Sequence, residues 1–189
     1  MPLNFTHTSS FVIDAEAVKK IVLVRIGKTG DLIVSNFAIR KLRGAFPRAR
    51  ILLVTLPRNR ELLQYSTDFD QARFFHKGLD LLNLILMLRN FKADLLLDFN
   101  DNPSTTSTLI TRYGGAKIKV GFEFEKSRRF LTIPVTCPPR ETSHITERLR
   151  KIPEAIGLSF DDDEIHPSMT IGERELDEVK KHLASVNPK

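Results

Sequence analysis

The sequence predicts a doubly wound α/β domain with a mainly parallel, Rossmann-like sheet. Two observations carry that prediction. Short apolar, β-branched runs without strict polar alternation recur at Ile21 to Ile26, Ile51 to Leu56 and Ala93 to Phe99, as strands covered on both faces require. Between them lie stretches with three- and four-residue apolar spacing, so strands alternate with helices as in βαβ units.

The first strand is bounded by Gly27, and the helix after it is expected from Asp31, where Val34, Phe37, Ala38, Leu42 and Ala45 mark one face; Gly44 and Pro47 mark its stop. After the Ile51 to Leu56 strand the pattern predicts a short helix over Arg58 to Tyr65, a strand over Ala72 to Phe75 and a helix from Leu79 to Phe91. The strand Ala93 to Phe99 follows, then a Ser/Thr-rich helix opened by Asn102 and Pro103 and running to Tyr113, then a strand over Ile118 to Gly121. Leu131 to Val135 reads as a short strand and Ser143 to Ile156 as a helix stopped by Gly157. Asp161 to Glu164 is a solvated turn, and Glu173 to Ala184 a last amphipathic helix. In such sheets ligands bind beyond the carboxyl ends of the strands. The segments Gly27 to Asp31, Leu56 to Arg60, Asp98 to Asn102 and Gly121 to Arg129 are therefore expected on one rim.

Composition narrows the function. The 189 residues suit one well-cored domain, and 41% hydrophobic with 28% charged residues is ordinary for a globular protein. A single cysteine, Cys137, excludes an internal disulfide framework and fits a reducing cytoplasm. Met1 to Val12 lack the features of a signal peptide, and the most apolar stretch, Leu79 to Leu88, is too short to span a bilayer. Residues 1–150 carry 24 Lys and Arg against 14 Asp and Glu, whereas residues 151–189 carry 5 against 9. The main body is thus the basic part, and an anionic ligand, with phosphates foremost, is expected. Nucleic acid is disfavoured by the absence of Trp, by having only Tyr65 and Tyr113, and by the lack of an RNA-binding motif.

The most informative stretch is Gly27-Lys28-Thr29-Gly30-Asp31 at the first strand-to-helix turn. It is not a P-loop, because the glycine such a loop needs five residues before the glycine of its GK pair is Val22 here. It is not a G-x-G-x-x-G dinucleotide turn either, since position 29 is Thr. What remains is a turn presenting backbone N–H groups, a lysine and a carboxylate at a helix N-terminus, where ionised acids and anions are favoured. Asp31 can cap that helix, and a carboxylate so placed can also serve as general base. Rim residues Arg58, Arg60, Lys126, Arg128 and Arg129 suit phosphate or carboxylate groups. Asp98, Asn100 and Asp101 read as strand-end turn formers, and Cys137, His7, His76, His166 and His182 have no metal-ligand spacing, so no metal is expected.

The run IVLVRIGKTGDLIVSNFAIRKLRGAFPRARILLVTLPRNRELL (Ile21 to Leu63) resembles the opening of the ADP-heptose:lipopolysaccharide heptosyltransferase family. Downstream, ADLLLDF at 93–99, YGGAKIKVGF at 113–122 and HITERLRKIPEAIGL at 144–158 are similar to later family segments, so the likeness runs in order from about Lys20 to Ile171. The resemblance implies the N-terminal half of a two-domain GT-B-type architecture, with the acceptor bound here and the ADP-heptose donor held mainly by a C-terminal domain beyond Lys189. It implies inverting transfer without metal or cofactor, with Asp31 deprotonating the acceptor hydroxyl. Lys28, Thr29, Gly30, Arg58, Arg60, Lys126, Arg128, Arg129 and His144 would form the acceptor-facing surface, although His144 also suits a helix cap. The expected organisation is an N-terminal extension (1–19), a Rossmann-like acceptor-binding domain (20–172) and a terminal helix or linker (173–189). The implied partners are a nucleotide sugar and the anionic inner core of lipopolysaccharide, in the cytoplasm or peripherally at the inner face of the inner membrane. The rival reading is a non-catalytic basic α/β module that binds an anionic glycolipid or nucleic acid.

Overall fold

A computed structural model describes residues 13–76 and 78–186. The leader reading of Met1 to Val12, and with it most of the expected extension 1–19, lies outside the described residues. Six strands form one sheet: β1 (Lys20–Val24), β2 (Arg50–Thr55), β3 (Gln71–Phe74), β4 (Leu95–Asp98), β5 (Ile118–Phe122) and β6 (Ile133–Val135). Their order is β3-β2-β1-β4-β5-β6 and every pairing is parallel. The helices are α1 (Thr29–Ala45), α2 (Asp80–Phe91), α3 (Thr105–Tyr113), α4 (Ile145–Glu154) and α5 (Glu173–Val186).

The continuous apolar runs exist because both faces of the sheet are covered. Alternate side chains of the central strands go to opposite sides. Ile21, Leu23, Ile51, Leu53, Leu95 and Leu97 pack with Phe37, Ile39 and Leu42 of α1 and with Leu149 and Ile152 of α4. Val22, Val24, Leu52, Val54 and Leu96 pack with Leu84 and Leu88 of α2 and with Ile110 of α3. Each fully buried Leu or Ile contributes about 1.5–3 kcal/mol before ordering costs, so these two layers hold the sheet.

The expected elements form, with local differences. The helix over Arg58 to Tyr65 does not: two 3₁₀ turns, Pro57–Asn59 and Glu61–Leu63, stand there instead. Asn59 is buried, its amide donating to Thr55 Oγ1 and accepting from Thr29 Oγ1, which holds this segment inward against the end of β2 and the start of α1. The first helix begins two residues before Asp31, at Thr29. At α3 the cap is Ser104, whose Oγ accepts the Ser107 N–H. Gly157, with φ of 91°, takes the left-handed conformation beyond α4 that a β-carbon would resist.

Three carboxylates tie the sheet to its connections with depressed pKa values. Asp94 accepts a hydrogen bond from Lys117 and the N–H groups of Lys19 and Lys20; the Lys117 bond leads in holding it below the usual carboxylate range. Burial pushes Asp70 up, but the Ile51 N–H and Arg43 more than offset this. Asp101, described below, behaves likewise. Groups whose folded pKa is lowered stabilise the fold above the ordinary value near 4, and that stability is lost as pH falls through the folded values. Asp98 opposes this, since burial raises its carboxyl and its contribution grows on acidification. The Asp94 share of the stability is therefore full at pH 7 and is lost as the pH falls through about 4 and below. Melting curves of the chain and of Asp94→Asn check this: the variant should start lower and lose less on acidification. A variant that loses as much as the parent on acidification would contradict it.

Candidate active site at the sheet rim

The strand registers bring Val24, Val54, Asp98 and Gly121 to one level, so the loops after β1, β2, β4 and β5 leave the sheet along the same edge. Side chains lock three of those loops together. The Ile26 N–H donates to Asn100 Oδ1 at 2.9 Å, joining the β1 and β4 loops. Thr29 Oγ1 donates to Asn59 Oδ1 at 3.2 Å, Asn59 Nδ2 donates to Thr55 Oγ1, and Thr55 Oγ1 donates to the Arg25 carbonyl at 2.9 Å, joining the β1 and β2 loops. The expectation that Gly27 to Asp31 and Asp98 to Asp101 share an edge is met.

Asp31 is not the cap residue of α1; it is the third helical residue, and Lys28 occupies the cap position. Its Oδ2 reaches back to accept the Lys28 N–H at 2.9 Å. Lys28 cannot return the bond through its side chain, because an ammonium has no acceptor. The Asp31 side chain remains 42% exposed, against 4% for Asp101, so of the two it is the carboxylate accessible from outside. Gly27 makes room for it: a β-carbon there would lie 2.5 Å from Asp31 Oδ2 and 2.9 Å from its Cβ. Gly27→Ala is therefore expected to push the carboxylate off the Lys28 N–H. Misplacement by about 1 Å can cost about 100-fold in rate, with roughly 1–3 kcal/mol of overpacking strain. A crystal structure of this variant, and its transfer rate in a protein that also supplies a donor-binding half, check both, and an unmoved carboxylate would refute the steric account.

Beneath Asp31 lies a charged group that the sequence conceals. Arg25, 2% exposed, ends the first apolar run. Its Nη1 donates to the Phe99 carbonyl and to Asp101 Oδ1, and its Nε donates to the Asp31 carbonyl at 3.3 Å. Asp101 also receives Arg148 from α4 through Nε at 3.3 Å and Nη2 at 3.0 Å, and Arg140 at 3.0 Å. Burial pushes the Asp101 carboxyl up, but Arg25 and Arg148 outweigh it and leave the pKa below the usual range. Asp98 accepts from the Asn100 N–H, from Ser107 and from Thr111, and burial raises its pKa. Asp101 is thus an interior anchor and not the turn former expected, whereas Asp98, also buried, does form the expected turn by accepting the Asn100 N–H two residues on.

The other expected site residues divide. Arg58 joins Thr29, Glu61, Tyr65, Thr170 and Glu175 around an open depression of about 440 Å³ beside the Asp31 loop. Gly30 and Lys28 are exposed on that loop. Arg60 stacks its guanidinium on the Phe74 ring at 4.7 Å. Lys126 and Arg129 line a separate depression, of about 440 Å³, with Arg112 and Phe130. Arg128 pairs with Glu123 at 3.3 Å. His144 caps α4: its Nδ1 accepts the Thr146 N–H, and Glu147 accepts the His144 N–H. Sequence reasoning passed over Arg25, Asn59, Arg140 and Arg148. A lone arginine inside an apolar strand run was the available signal for the first of them.

Among the described residues, no three His, Cys, Asp or Glu side chains group as a metal site would require, and no helix is long and apolar enough to cross a membrane. No family model and no curated protein sequence matches the chain. Solved structures do. A glycosyl transferase of family 9 from Veillonella parvula superposes with a TM-score of 0.70 at 21% identity, over 88% of this chain and 49% of that one. The Escherichia coli ADP-heptose lipopolysaccharide heptosyltransferase II gives 0.67 at 19% identity, over 87% and 50%. The E. coli heptosyltransferase WaaC with ADP gives 0.58 at 13% identity, over 84% and 52%. The chain has the fold of one half of these enzymes and spans about half their length.

Proposed function

We propose that the chain is the acceptor-binding half of a glycosyltransferase that moves heptose, or a related sugar, from an ADP-sugar to the anionic core of lipopolysaccharide. The observation that carries this reading is the accessible Asp31 carboxylate, held at the first strand-to-helix turn on the ligand-binding rim of a fold shared with one half of heptosyltransferases. Residues 20–172 form the acceptor-binding domain, and residues 173–189 lead toward the half that holds the donor.

In the proposed reaction the acceptor hydroxyl enters beside Asp31. Its oxygen forms a bond to the anomeric carbon as the bond from that carbon to the ADP oxygen breaks. ADP leaves with the electron pair, and the hydroxyl proton passes to the Asp31 carboxylate, with inversion at the anomeric centre. No metal or cofactor enters the scheme. The 440 Å³ depression bordered by Thr29 and Arg58 takes the acceptor, Arg58 supplying a charged donor for its phosphate or carboxylate groups. The second basic depression, with Arg112, Lys126 and Arg129, suits a more distant anionic group of the same extended acceptor. The product would be assembled on the cytoplasmic side, with peripheral contact at the inner membrane.

Titration calorimetry with a phosphorylated inner-core oligosaccharide and with duplex DNA, at physiological salt, tests the reading. The oligosaccharide should bind and lose at least about tenfold in affinity in Arg58→Ala, whose guanidinium is a charged donor worth about 1.5–3 kcal/mol. The chain by itself should transfer negligible heptose from ADP-heptose. Preferential, steeply salt-dependent DNA binding would instead favour a non-catalytic basic module.

A further inference from the structure

Arg25 holds one hydrogen-bond donor in reserve. Three of its interactions are made to the floor of the site, through Nε to the Asp31 carbonyl and through Nη1 to Phe99 and Asp101, so the guanidinium plane is fixed by the β1 and β4 loops together. Its Nη2 is buried and has no hydrogen-bond partner. That nitrogen lies 4.0 Å from Asp31 Oδ1, and among the described residues Arg25 is the one cationic side chain within that distance of the carboxylate. A buried donor left unmade costs about 1–3 kcal/mol, more when charged, so the group is under pressure to find an acceptor. Asp31 can supply it by a shift of about 1 Å, since an N–H···O⁻ bond settles near 2.7–2.9 Å.

We propose that Arg25 is a positioning residue for Asp31, its free Nη2 closing onto Oδ1 while the Lys28 N–H holds Oδ2. This rests on the reading of Asp31 as the base. The two donors grip opposite oxygens, so the carboxylate loses rotation about its side-chain bonds. Each oxygen keeps a second lone pair for the incoming hydroxyl. The pin transmits rigidity from the interior, because Arg25 is itself braced by Asp101, which Arg140 and Arg148 hold from the other side. Lys28 contributes its backbone N–H, and its exposed side chain has no part in the clamp.

Side-chain NMR on the 189-residue chain tests this without turnover. The expected result is a through-hydrogen-bond coupling between Arg25 Nη2 and the Asp31 carboxyl carbon, absent in Asp31→Ala, together with χ1 couplings showing a single Asp31 rotamer. Arg25→Gln should average those couplings, and Arg25→Lys should restore them at least in part, which a purely structural arginine would not do. An averaged Asp31 rotamer in the parent, or an Arg25 Nη2 coupled to no carboxyl carbon but that of Asp101, would overturn the proposal. Should Arg25→Gln fail to fold, the parent and Asp31→Ala spectra decide by themselves. Failure of the base reading is separable: an Asp31→Asn protein that transfers sugar at the parental rate removes the catalytic role and leaves the measured contact standing.

Discussion

Asp31→Asn is expected to abolish or nearly abolish transfer, by about 10²- to 10⁴-fold, while melting close to the parent. The structure sharpens the reason. Asp31 is the third residue of α1 and accepts the Lys28 N–H through one oxygen. An asparagine can keep that acceptor, so the helix end survives. What is lost structurally is a negative charge near a helix N-terminus, about 0.3–1 kcal/mol at an exposed position. What is lost chemically is the proton acceptor. The measurement pairs thermal melts of the chain with transfer from ADP-heptose to a core acceptor in a protein that also supplies the donor-binding half. A variant that melts normally and transfers at the parental rate eliminates the base assignment. One that loses both would leave Asp31 as a structural residue.

The largest effect on stability is expected at Asp101. Its carboxylate, 4% exposed, faces Arg25, Arg140 and Arg148, and two of those guanidinium groups are buried as deeply as it is. Asp101→Ala would leave Arg25 and Arg148 as uncompensated buried cations, which costs about 3–5 kcal/mol. For a domain of this size that lowers the Tm by roughly 6–20 °C. Arg140→Ala removes a half-exposed partner of the same carboxylate and should cost no more than about 1 kcal/mol. Denaturant unfolding of the two variants separates the cases. Equal effects would show that the cluster is a surface network and not an interior anchor. Because Arg25 also lies against Asp31, a folded Asp101 variant should lose transfer activity as well, through a loosened site floor.

The fold was legible because its determinants are local. Runs such as Ile21 to Val24 and Ile51 to Val54 are apolar at every position only if both faces of a strand are covered, and the three- and four-residue spacing of Val34 to Ala45 can satisfy only a helix. Element order and the parallel sheet follow from that alternation, as does the place of the Gly27 to Asp31 loop on the rim. The short helix placed over Arg58 to Tyr65 went astray because Asn59 turns inward to a neighbouring strand, a contact that apolar spacing cannot register.

The floor of the site was not legible. Arg25 reads as a blemish in an apolar strand until Asp101, 76 residues away, is brought beside it. Arg148 reads as one more charge on an amphipathic helix until α4 lays it on the same carboxylate from 47 residues away. Nor could spacing show that Arg60 stacks on Phe74 and Arg128 pairs with Glu123, while Arg58 stays free to border the depression beside Asp31. By itself the sequence determined the strands, the helices, the basic character of the body and the glycine-flanked carboxylate at the first turn, because each depends on residues within a few positions of one another. The tertiary structure alone decided which charges are buried, which are paired and which border a depression at the rim. Those outcomes depend on distances between segments far apart in the chain, and a charge changes its role entirely once a partner displaces the water around it.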